Sequence, residues 1–139
     1  MNKITLITIM LLIRGICYCQ TNSNEILEPI AFTRACLEAA KIPNSDTLEC
    51  YPEGTKKWLV LIEEYKATLS KKLNLNSRKV LESDTQEWLK LMEEEIIVTN
   101  QIIQDKNLPL VTRRQAAIRQ FKFAEKRALS LRKTILEYK

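Results

Sequence analysis

The chain has 139 residues, with 22 Lys and Arg against 17 Asp and Glu, a formal charge of +5, and no histidine. Without imidazole the commonest general base and zinc ligand are missing, and Ser-His-Asp and Cys-His triads are excluded. Its two glycines, Gly15 and Gly54, are too few for the many turns of an all-β fold or for a glycine-rich phosphate loop.

At the start, Lys3 precedes an apolar run of ten residues, Ile4 to Ile13, broken only by Thr5 and Thr8. A bilayer core needs about 20 apolar residues, so this run fits the h-region of a secretory signal instead. Arg14 prevents its extension. Cys17 and Cys19 flank Tyr18 in the manner of an A-x-A cleavage site, which places cleavage after Cys19 and predicts a signal peptide over 1–19. The competing outcome is a lipoprotein acylated on a cysteine. The residues before Cys17 and Cys19 do not form the small-residue box that lipid attachment uses. No other segment is long and apolar enough to span a membrane.

Cys36 and Cys50 lie beyond the signal, in a compartment where a disulfide forms and persists, so one bridge is expected between them. Loss of Lys3 and Arg14 leaves 20 basic and 17 acidic side chains, a net charge of about +3. That value does not call for nucleic acid. The distribution is uneven: residues 113–139 carry nine basic and two acidic side chains, whereas 20–112 carry 11 and 15. The plain reading is a basic last helix packed beside acidic neighbours. The sharper reading is a surface for lipid headgroups or cell-wall polymers, through Arg119, Lys122 and Lys126.

The mature chain suits one domain. Residues 20–28 read as a flexible lead-in to a helical domain over 29–139. Pro29 fits the first position of a short helix reaching about Lys41, with Ile30, Phe32, Cys36 and Ala40 as candidate buried residues. Pro43 stops that helix. Residues 42–55, with Pro43, Pro52 and Gly54, read as a loop holding a turn at 46–50.

Thr55 is the candidate N-cap of a second helix over 56–73. Its apolar face is Trp58, Ile62, Tyr65, Leu69 and Leu73, at steps of four, three, four and four. Asn74 to Asn76 ends it. A third helix starts near Ser77 and runs to about Gln104, with Leu81, Trp88, Met92, Ile96 and Ile103 on one face and Thr85 and Thr99 filling the gaps. Leu108-Pro109 separates it from a last helix over 110–138. There Ala117, Phe121, Ala124, Ala128, Leu131, Ile135 and Tyr138 form a heptad-like seam whose small residues permit close helix approach. Three long helices with short connections predict an all-α antiparallel three-helix bundle, with the short first helix tied on by the disulfide.

The two mature cysteines lack CxxC spacing, so neither a redox motif nor a structural zinc site is indicated, and no cofactor is expected. Glu63 with Glu64, and Glu93 to Glu95, are neighbouring helical carboxylates that read as solvated rather than as a hydrolytic pair. The chain is therefore read as non-enzymatic. Glu82, Asp84, Glu87, Glu93, Glu94 and Glu95 make an acidic stretch, the best candidate surface for a basic protein partner.

From Cys36 to about Glu95 the pattern resembles the lysozyme-inhibitor LprI N-terminal family of exported bacterial proteins. The residues carrying the resemblance are Cys36 and Cys50, then Tyr65 in LIEEYKATLSKKL, then Leu81, Gln86 and Trp88 in KVLESDTQEWLKLMEEE. The resemblance implies a small helical, disulfide-linked domain in the periplasm or outside the cell. In some members of that family it also implies binding to lysozyme, which makes a lysozyme or another envelope protein the expected partner.

Overall fold

The computed structural model describes residues 27–39 and 47–138. The segment 1–19, the lead-in up to residue 26 and residues 40–46, with Ala40 and Pro43, lie outside the described residues. Helix α1 is Glu28–Ala39. Pro29 sits in its first turn, where a missing N–H costs nothing, and the Leu27 carbonyl accepts from the Ile30 and Ala31 amides. Pro29 and Thr33 are its buried residues, whereas Ile30, Phe32 and Cys36 are half-buried.

A 3₁₀ turn, Thr47–Glu49, leads into α2, Cys50–Lys72. This corrects the predicted loop over 42–55: residues 50–55 are helical. Pro52 falls in the first turn of α2, where proline is tolerated, and Gly54 lies inside the helix. Thr55 is not a cap. It is buried one turn further in, and its hydroxyl donates to the Tyr51 carbonyl at 2.9 Å.

The break between the second and third helices is shorter than predicted. Asn74 caps α3, Leu75–Gln104, by accepting from the Ser77 amide through Oδ1 at 2.9 Å. Helix α4, Leu110–Glu137, follows Pro109, whose carbonyl accepts from the Thr112 and Arg113 amides.

Contacts along the helices fix their directions. Tyr51 and Trp58 meet Phe121 edge-on, while Lys72 Nζ donates to the Tyr138 carbonyl at 2.7 Å, so α2 and α4 run parallel. Arg113 reaches the Ile103 carbonyl, Arg119 reaches Glu95 and Arg127 reaches Asp84, so α3 runs antiparallel to α4. The result is the all-α, up-down-up bundle read from the sequence, with α4 as the shared neighbour of α2 and α3.

Trp58, Ile62, Leu69, Leu73, Met92, Phe121, Ala124, Ala128 and Leu131 form the main core. Each large side chain withdrawn from water stabilises by roughly 1.5–3 kcal/mol. Ala117, Ala124 and Ala128 are fully buried, and their short side chains let α2 and α4 share the broadest interface of the fold. Thr85 and Thr99 are also fully buried; their hydroxyls donate to the Leu81 and Glu95 carbonyls one turn back. The predicted seam ends early, because Tyr138 is 47% exposed. Cys36 and Cys50 are bonded, with their Cα atoms 5.7 Å apart, which ties α1 to the start of α2. Among the described residues no helix is long and apolar enough to cross a membrane.

Candidate functional site: an acid-rimmed strip on α3

A helix advances about 100° per residue, so a run of acids along α3 cannot present a single face. Asp84 and Glu95 turn toward α4. Asp84 Oδ2 accepts from Arg127 Nη2 at 2.5 Å, and Glu95 accepts from Nε and Nη2 of Arg119 in a two-pronged pair. The bonded Glu95 carboxylate, first by hydrogen bonding and then by charge, raises the Arg119 pKa above its ordinary value.

Glu87 and Glu94, seven residues apart, come next around the helix. Both are exposed and have no ion pair among the described residues. Beside them on the same side of α3 stand Leu91 and Val98, 55% and 47% exposed. Leu91, Glu94, Glu95 and Val98 join Phe123 of α4 around a shallow cleft of about 260 Å³. Glu82 and Glu93 are exposed too, but lie further round, away from this strip.

The residues carrying the family resemblance separate into two groups. Tyr65, Leu81 and Trp88 are half-buried and pack against the main core. Trp88 stacks on Phe123 with ring centroids 5.8 Å apart and planes 17° apart, and the Arg127 guanidinium lies over the Trp88 ring at 5.8 Å from its centroid. Gln86 stands apart from them, exposed on α3. Trp88 thus supports the floor beneath the acidic strip through Phe123.

Arg119, Lys122 and Lys126 share the solvent face of α4. Arg119 is held by Glu95, and Lys122 is paired with Glu125 while lying over the Phe121 ring. Lys126 is exposed with no ion pair among the described residues. Two of the three cations therefore have a carboxylate of their own.

Sequence reading missed Leu91, Val98 and Phe123. Leu91 and Val98 carry a faint signal: they are seven apart and lie off the buried stripe of the same helix. Glu63 is exposed and pairs with Lys66 at 3.4 Å. Among the described residues no group of three or more His, Cys, Asp or Glu could hold a metal ion. Set against protein-family models, curated proteins and solved structures, the chain matches none.

Proposed function

We propose that the chain is an exported, non-catalytic helical domain that binds a positively charged protein through Glu87, Leu91, Glu94 and Val98. The observation carrying this reading is the pairing of two exposed aliphatic side chains with two exposed carboxylates that have no ion pair among the described residues. Apolar contact area supplies affinity at such a surface, and surrounding charge selects the sign of the partner and speeds encounter. The bond between Cys36 and Cys50 and the lack of a spanning helix among the described residues are compatible with export.

Lysozymes are commonly basic, and the resemblance through Cys36, Cys50, Tyr65, Leu81 and Trp88 makes a lysozyme the first partner to try. The mature chain, from Gln20, is to be incubated with a panel of lysozymes, with binding and lytic activity both followed. Saturable binding supports the reading. Neither binding nor inhibition across the panel removes it.

A second reading is an envelope protein that attaches to an anionic surface through α4. It draws on the charge of residues 113–139 and on Lys126, which has no ion pair among the described residues. Reversing Arg119, Lys122 and Lys126 should then abolish sedimentation with anionic vesicles or cell-wall sacculi, and unchanged sedimentation rejects it.

A further inference from the structure

The strip on α3 does not stand alone. Leu91, Glu94, Glu95 and Val98 share their cleft with Phe123 of α4, and Val80 and Asp84, nearer the start of α3, share another with Arg127 and Ser130. Phe123 and Ser130 mark one row along α4. Arg119, four residues before Phe123, and Lys126, three after it, belong to that row. An acidic strip and a basic row therefore run side by side on one face of the bundle.

Their heights are fixed. Arg127 pairs with Asp84 and Arg119 with Glu95 across the two helices. Glu87 lies one turn beyond Asp84 along α3, and Lys126 is next to Arg127 on α4, so the two stand at nearly the same height. Both are exposed, and neither has an ion pair among the described residues. Around them Val80, Leu91 and Val98 of α3 and Leu129 of α4 leave aliphatic surface in water.

A face with acid on one side and base on the other, at matched heights, complements itself. A twofold axis along the furrow between strip and row lays each copy's row over the other's strip without changing heights. It sets Glu87 against the partner's Lys126 twice and turns Glu94 toward the partner's Arg119. A twofold through α3 itself would instead press Glu87 and Glu94 against their own copies, where like charges repel. From Val80 to Val98 the strip is roughly 27 Å long. Such a face, two helices wide, is at the small end of specific interfaces and suits a reversible contact.

We propose that the chain forms a reversible twofold dimer through this face, with Glu87 paired to the partner's Lys126 and with Val80, Leu91, Val98 and Leu129 withdrawn from water. A second copy and a basic protein then compete for Glu87 and Glu94, and the dimer does not rest on a lysozyme being that protein.

Sedimentation equilibrium of residues 20–139, from micromolar to millimolar concentration, tests this. A reversible rise to twice the monomer mass and no further is expected, weaker in high salt. Glu87→Lys and Lys126→Glu each turn two attractive contacts into repulsive ones, and each should raise the dimer Kd at least tenfold. The double variant keeps the wild-type net charge with the two signs exchanged, and should return the Kd to within threefold of wild type. Both positions are exposed, so helical circular dichroism should be unchanged in all three variants. A monomer at every concentration overturns the proposal, whether or not a lysozyme binds. Masses growing beyond the dimer overturn it too, since they mark an open head-to-tail contact. So does a double variant no tighter than the singles, which shows that Glu87 and Lys126 do not meet.

Discussion

Gly54 and Phe121 touch so closely that no side chain fits between them. A Cβ on Gly54 would lie 2.7 Å from Phe121 Cε2 and 2.2 Å from Thr33 Oγ1. Glycine stands inside α2 because α1 and α4 both press on that point. In a helix, Gly→Ala ordinarily stabilises by about 1 kcal/mol, whereas forcing an extra carbon into a packed core costs about 1–3 kcal/mol. Thr33 and Phe121 are themselves buried and have little room to yield. Gly54→Ala is therefore expected to destabilise, by about 1 kcal/mol or more, as read from urea unfolding. A stabilised variant would mean that the three helices do not converge at this residue.

The bridge between Cys36 and Cys50 anchors a helix of 12 residues, too short to persist alone. Besides the bridge, α1 is held by the Glu28–Lys57 ion pair, the Lys57 ammonium over the Phe32 ring, and its buried Pro29 and Thr33. Closing a loop of this length stabilises by about 3 kcal/mol in chain-entropy models. The Cys36→Ser/Cys50→Ser variant is expected to lose about that much. Hydrogen exchange should accelerate first in α1, leaving α3 and α4 protected. Uniform loss of protection through the bundle would show that the bridge supports more than α1.

Gln120, only 3% exposed, donates from Nε2 to Thr99 Oγ1 at 3.2 Å and to Asn100 Oδ1 at 3.4 Å. Thr99→Val removes one acceptor from a buried donor, at a cost of about 1–2 kcal/mol. Replacing both partners, as Thr99→Val with Gln120→Leu, should recover much of that loss, because the buried amide goes with its acceptor and Asn100, only half-buried, can turn to water. Denaturant unfolding of the two singles and the double measures the coupling. Additive costs would show that the two side chains act independently.

Stability should be level across neutral pH. The chain has no histidine, the side chain whose ordinary pKa falls there. Among the described residues the shifted groups are cations: a hydrogen bond to Glu53 raises Lys56, and one to Glu95 raises Arg119. A cation with a raised folded-state pKa contributes fully below its unfolded value, about 10.4 for Lys and higher still for Arg, and loses that contribution only as pH rises through the folded value. Tm of residues 20–139 is expected to hold steady from about pH 6 to pH 9 and to fall only in stronger alkali. A marked fall between pH 6 and 9 would contradict this.

Much of the bundle is legible in the residues because long amphipathic helices repeat their pattern many times. The stripes through Trp58, Ile62 and Leu69, through Thr85, Met92 and Ile103, and through Ala117, Phe121 and Ala128 all face the core. The start of α2 was hidden because Pro52 and Gly54 are turn residues by local preference. Pro52 is acceptable there because first-turn amides need no helical partner, and Gly54 answers to α1 and α4, which lie far along the chain or across the bundle. Asn74 and Asn76 likewise read as a helix end, although Asn74 begins the next helix. The candidate site was half visible. The acidic stretch stood out, but which acids pair with Arg119 and Arg127 depends on the register between α3 and α4, and no local signal carries that register.

The most direct test compares two charge reversals on α3 in calorimetric titration with a basic lysozyme that binds the wild-type chain. Glu87→Lys/Glu94→Lys changes the strip beside Leu91 and Val98, and Glu82→Lys/Glu93→Lys makes the same change in net charge further round the helix. The first pair is expected to weaken binding at least tenfold and the second less than threefold, with helical content unchanged in both. Equal loss from the two pairs, or no loss from the first, would contradict a docking surface at Glu87 and Glu94.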